Sequence, residues 1–114
     1  MNPEIQTYLE SFDETTRERF NLLYHLILES APAEVEEKLW AKLPSFSRGK
    51  HFVRLIPFKD HINIEAKGIA AYQDQLTGWK MTPKGMLQIG HQQAIPAELL
   101  KLVFKATLES AEAR

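Results

Sequence analysis

Between Leu39 and Ala66 the chain reads LWAKLPSFSRGKHFVRLIPFKDHINIEA: three short β-prone runs broken by Ser47-Arg48-Gly49 and by Lys59-Asp60. That pattern is the signature of a three-strand antiparallel meander. In the middle run Phe52, Arg54, Ile56 and Phe58 alternate with Val53, Leu55 and Pro57, so this strand has apolar residues on both faces. Both faces are therefore at least partly covered, or one of them lines a cavity. In the next run His61, Asn63 and Glu65 alternate with Ile62, Ile64 and Ala66, which gives one polar and one dry face. Pro44 and Pro57 each remove a ladder donor and mark bulges or edge positions.

Outside the meander the hydrophobic period is helical. Asn2-Pro3-Glu4 reads as a helix start, with Asn2 as the cap and Pro3 in the first turn. Ile5, Tyr8, Leu9 and Phe12 then recur at helical spacing. Asp13 is a second cap, with Glu14 near the positive helix end. Phe20, Leu23, Tyr24, Ile27 and Leu28 form the apolar stripe of the main core helix, which ends near Ala31. Pro32 stops it, and AEVEEKL is expected as a short third helix with Val35 and Leu39 on one face. After Gly68, IAAYQDQL is expected as a short amphipathic helix, GWKMTPKG as a loop and MLQIG as a fourth strand. Pro96 opens a last helix carrying Leu99, Leu100, Val103, Phe104 and Leu108. The order αααβββαβα is that of one α+β domain over residues 1–114, with helices covering a small antiparallel sheet.

Composition narrows the chemistry. With no cysteine among 114 residues, disulfides, thiolate nucleophiles, Cys-ligated zinc and iron–sulfur clusters are excluded. The start of the chain, MNPEIQTYLESF, has neither a basic opening nor a continuous apolar run, which argues against a secretory signal. The apolar runs fall far short of the ~20 residues needed to cross a bilayer. No membrane association and a cytoplasmic location are the expectation. Charge is segregated: residues 1–37 hold nine acids against Arg17 and Arg19, whereas residues 38–105 hold eleven basic residues against four acids. Either an acidic helical layer packs on a basic sheet layer, or the charged faces dock a protein partner.

Three constellations could carry chemistry. Ser45 and Ser47 lie near His51 and His61, yet there is no Gly-x-Ser-x-Gly elbow and no acid is obviously placed behind a histidine. A non-enzymatic protein is expected. For metals, the four histidines show no ligand spacing. His61 and Glu65 share a strand face with Asn63; the plainer reading is a hydrated polar face, and the sharper one is a ligand pair of the nitrogen and oxygen type that iron(II) accepts. Glu34, Glu37 and Lys38 share a surface on the expected third helix, and Glu14 and Glu18 stand at i,i+4, interrupted by Arg17 and Arg19. Such like-charge pairs mildly destabilise a helix; they fit an acidic iron-binding ridge or a solvated face. For a small ligand, Trp40, Phe46, His61, Tyr72, Trp79 and Lys84 sit close to strand ends and loops, as pocket-lining or as core residues. Basic residues such as Lys50 and Arg54 also interleave with Phe46, Phe52 and Phe58, but a sequence pI of about 6.4 and the lack of an RNP-like motif argue against nucleic acid.

The chain also resembles the YdhG-like family of small bacterial proteins, a domain of unknown function whose members are sometimes labelled frataxin-like intracellular iron chaperones. Carrying the resemblance are the Ala31-Pro32 break, Trp40 followed by Leu43-Pro44-Ser45-Phe46, and Phe58-Lys59-Asp60-His61-Ile62. It continues through Lys84-Gly85 before the last strand and Ile95-Pro96 before the last helix. Where the family usually has a Ser before Lys-Gly and a Thr after it, this chain has Pro83 and Met86. The resemblance implies an α+β fold with a groove beside the sheet, and it lends weight to metal handling. On that basis the leading expectation is an iron chaperone holding iron(II) through Glu34, Glu37, His61 and Glu65. The alternative is a small-molecule binding module whose groove uses Trp40, Phe46, His61, Tyr72 and Lys84.

Overall fold

Asn2 caps the first helix as expected. Its Oδ1 accepts from the backbone N–H of Glu4 (2.7 Å) and Ile5 (3.1 Å) and opens α1, Pro3–Leu9, in the computed structural model, which describes residues 1–109. Asp13 accepts from the Thr16 N–H at 3.0 Å and caps α2, Glu14–Ser30. Hydrogen bonding from Thr16 holds the Asp13 carboxyl below its ordinary range. Phe20, Leu23, Tyr24 and Ile27 of α2 are buried; Leu28, expected in the same stripe, is on the exposed side. The helix ends where the Ala31 N–H bonds to the Ile27 carbonyl (2.9 Å), just before Pro32.

The expected third helix is instead a strand, β1, Glu36–Trp40. Val35 and Leu39 are four residues apart, which fits one helix face, but Val35, Glu37 and Leu39 also alternate along a strand. A carboxylate at the inward position hid that alternation. Two-residue turns then link β1 to β2 (Leu43–Arg48) and β2 to β3 (His51–Pro57), and β4 (His61–Ala66) completes the meander. What was expected as an amphipathic helix is a 3₁₀ helix, Lys67–Gln75. The expected loop contains a two-residue strand, β5 (Lys80–Met81), paired with β6 (Leu87–Gly90). Last comes α3, Ala97–Glu109.

Among the described residues the sheet has six antiparallel strands in the order β1-β2-β3-β4-β6-β5, where four were expected, and the α+β class holds. Phe46, Val53, Leu55, Ile62, Ile64, Leu87 and Ile89 point to one side and meet α2 and α3 in the core. Phe20, Phe46 and Phe104 are fully buried there, each worth roughly 1.5–3 kcal/mol of apolar transfer. The opposite parity, with Lys38, Trp40, Ser45, Phe52, Arg54, Asn63 and Glu65, forms the sheet face turned away from α2 and α3. Among the described residues no helix is long and apolar enough to cross a membrane.

Candidate functional site

Two glycine turns and one tight helix contact shape a cavity at the end of this open face. Gly49 takes φ +59 at the first position of the β2–β3 turn, leaving Lys50 at the second. In the β5–β6 connection Gly85 takes φ +86, and its N–H bonds to the Thr82 carbonyl (2.9 Å). The Thr82 hydroxyl accepts from the Met86 N–H (3.0 Å), so the loop is closed from within and Lys84 sits at its tip. Behind them β4 runs directly into the 3₁₀ helix, where the Gly68 N–H donates to Thr107 Oγ1 of α3 at 2.8 Å.

These elements line an open cavity of about 420 Å³. Phe52, Ile69, Ala70 and Met81 supply apolar wall, while Lys50, Lys67, Lys84, His51, Gln73 and Glu65 supply the polar groups. That size and mixture are those of a small-ligand site. Its electrostatics are one-sided. Glu65, the carboxylate in the lining, is already engaged by Arg54 (Nη1–Oε1 3.0 Å). Lys50, Lys67 and Lys84 form no ion pair among the described residues. Thr107, the lining hydroxyl, is committed too: it accepts from Gly68 and donates to the Val103 carbonyl at 2.8 Å.

Arg54 sits mid-sheet on the open face with its side chain only 12 % exposed. Its guanidinium lies 4.4 Å from the Trp40 ring centroid and 5.2 Å from that of Phe52. These rings cover it; among the described residues its Nε, like Asn63 Oδ1, is buried without a hydrogen-bond partner. Stacking and the ion pair to Glu65 compensate the guanidinium for lost water.

The structure divides the sequence candidates. Lys84 and Glu65 line the cavity, and Trp40 stands on the same face beside it. Phe46 does not: its register puts it on the helical side, fully buried against Phe20 and Tyr24. Tyr72 packs against the core from the 3₁₀ helix, and the Trp79 Nε1–H donates to the Ala94 carbonyl. His61 is at the opposite end of β4 from Glu65, ~13 Å away along the strand. It pairs with Asp60 (Nδ1–Oδ1 2.6 Å) and stacks on Phe58 at 4.5 Å.

The four candidate iron ligands stand apart. Glu34 is exposed ahead of β1, and Glu65 is paired with Arg54. Glu37 accepts from the Asn2 N–H (2.7 Å) and the Tyr24 hydroxyl (2.6 Å). No group of three or more His, Asp or Glu suited to a metal ion occurs among the described residues. Nor does a hydrogen bond join Ser45 or Ser47 to His51 or His61 among them.

Lys67 and the placement of Arg54 escaped the sequence reading. The turn at Lys59-Asp60 sets the β3–β4 register that puts Arg54 opposite Glu65, so that pair could have been read from the hairpin. Lys67 had no such signal, because it depends on how the chain leaves β4.

The fold has a solved counterpart. A DUF1801-family protein, YdhG, from Bacillus subtilis aligns over 95 % of this chain and 91 % of its own, with a TM-score of 0.77 and 22 % identity. No family model and no curated protein matches the sequence. This chain therefore has the YdhG-like α+β fold of that DUF1801 protein, as its sequence resemblance implied.

Proposed function

We propose that this chain is a non-enzymatic binding protein that holds a small anionic ligand in the cavity between Lys50, Lys67 and Lys84. The observation that carries this reading is the lysine trio: three cations line one concave site and have no carboxylate partner among the described residues. Like charges gathered around a cavity repel one another until an anion neutralises them, and low-dielectric walls strengthen that attraction. Glu65, tied to Arg54, does not serve as the neutralising group. The iron(II) reading lacks comparable support, since its four ligands are dispersed and Glu37 is occupied by Asn2 and Tyr24.

Thermal unfolding in a series of inorganic phosphate concentrations tests the proposal. Ligand that binds only the folded state raises the melting temperature in a saturable way. General salting-in or salting-out effects do not saturate and act equally on variants. The expected result is a saturable rise in the parent that is absent from the Lys67→Ala/Lys84→Ala variant. An identical rise in both proteins would sink the proposal. A rise with micromolar iron(II), lost in Glu34→Ala/Glu37→Ala, would favour the metal reading in its place.

A further inference from the structure

We infer that the ligand is a planar aromatic anion, with its charge among the lysines and its ring laid against Trp40 and Phe52; this rests on the anion-binding reading above. A second cavity, about 330 Å³, adjoins the first, and Lys50 and Phe52 line both. Its other side chains include Trp40, Lys38, Ser45 and Ser47, with no carboxylate among them. One ligand can therefore reach across Phe52 while Lys50 remains beside it.

The aromatic surface is built to be used from one side. Trp40 and Phe52 stand 5.9 Å apart between centroids at 59°, which makes a notch instead of a closed stack. Arg54 covers part of the indole, at 4.4 Å from its centroid, and is itself fixed by Glu65. Trp40 nevertheless remains 51 % exposed. A large ring held in position yet left in water loses little conformational freedom when a ligand lands on it. Flat rings gain from offset or edge contact with such a surface, roughly three- to tenfold in affinity over a puckered ring of equal charge. Ser47, whose hydroxyl makes no hydrogen bond among the described residues, can serve a polar atom at the ring edge.

Benzoate and cyclohexanecarboxylate carry the same charge at similar size but differ in planarity, so they separate the ring from the charge. In a Trp79→Phe background Trp40 is the sole tryptophan, and its emission, excited clear of the ligand, reports contact directly. Benzoate is expected to shift that emission and to bind about fivefold tighter than cyclohexanecarboxylate. Phe52→Ala should remove the preference, and Lys67→Ala/Lys84→Ala should weaken both carboxylates alike. Calorimetry on the unmodified chain gives the same affinity ratio if Trp79→Phe does not fold. Equal binding of the two carboxylates with Trp40 emission unchanged overturns the ring assignment and leaves anion binding standing. If benzoate, cyclohexanecarboxylate and phosphate all fail to bind, both readings fall together.

Discussion

The Tyr24 hydroxyl donates to Glu37 Oε2 at 2.6 Å and ties the main core helix to the edge strand of the sheet. The same carboxylate accepts the Asn2 N–H through Oε1 (2.7 Å), and the Asn2 side chain donates to the Glu37 carbonyl (3.0 Å). One acidic residue on β1 thus joins the cap of α1 to the middle of α2. Replacing it strands a donor on a residue only 6 % exposed. Glu37→Ala is expected to destabilise the fold by about 2–3 kcal/mol, and Glu37→Gln by about half as much, because the amide still accepts one bond. Urea unfolding midpoints at constant slope measure both. A Glu37→Ala variant as stable as the parent would show that these bonds add nothing.

The pair also sets a pH dependence. Burial first, then the hydrogen bond to Glu37 and its negative charge, push the Tyr24 hydroxyl up to about 12 from 10.0. The folded state therefore keeps a proton that the unfolded state releases. Stability from this group is complete below pH 10 and is lost as pH rises through about 12. Lysine and arginine titration overlaps that window, so the informative quantity is the stability difference between the parent and Tyr24→Phe. It should change between pH 9 and pH 12, with the parent losing ground. A difference that stays constant over that range would remove the coupling.

Gly68 is where the sheet hands over to the cavity wall. A Cβ there would lie 2.5 Å from the Val103 carbonyl oxygen and 2.7 Å from Thr107 Oγ1. The carbonyl belongs to the α3 backbone and cannot swing aside. Gly68→Ala must separate the 3₁₀ helix from α3 and break the bond from Gly68 N–H to Thr107. A loss of about 2–3 kcal/mol is expected, larger than for an exposed Gly→Ala change. Gly78, where an added Cβ would meet no atom within 4 Å, supplies the control. Equal effects at the two sites would refute the close-approach argument.

These residues also show what a sequence can display. Helix caps at Asn2 and Asp13 and the alternation through β3 and β4 were legible because each is a local pattern. β1 was not, since its inward position is filled by Glu37, whose partners are 35 and 13 residues away. The short β5 pairing depends on β6 and has no pattern of its own. The site was half legible. Trp40 and Glu65 lie at or beside strand ends and Lys84 on a loop, but which lysines meet depends on the 3₁₀ helix and a loop closed by Thr82. Phe46 is an aromatic close to a strand end, as a groove residue would be, but strand parity puts it on the other face.

The turn that places Trp40 offers a last test. Two-residue hairpins with positive φ at both central positions favour Asn-Gly, because only such residues enter the left-handed region easily. Here the positions are Ala41 (φ 53) and Lys42 (φ 68). Each carries a Cβ into that region, at roughly 1 kcal/mol or more per residue. The missing glycine is also why the hairpin was invisible in the sequence. Neither side chain lines the cavities beside Trp40, so the strain can be relieved without touching the proposed site. Ala41→Asn/Lys42→Gly is expected to raise stability by about 1–2 kcal/mol and to leave benzoate affinity within twofold of the parent. If stability rises and affinity falls severalfold, the strained turn itself helps to hold the indole in place. If stability does not rise, the turn is unstrained, and the left-handed conformation is tolerated at these two residues for reasons outside the hairpin.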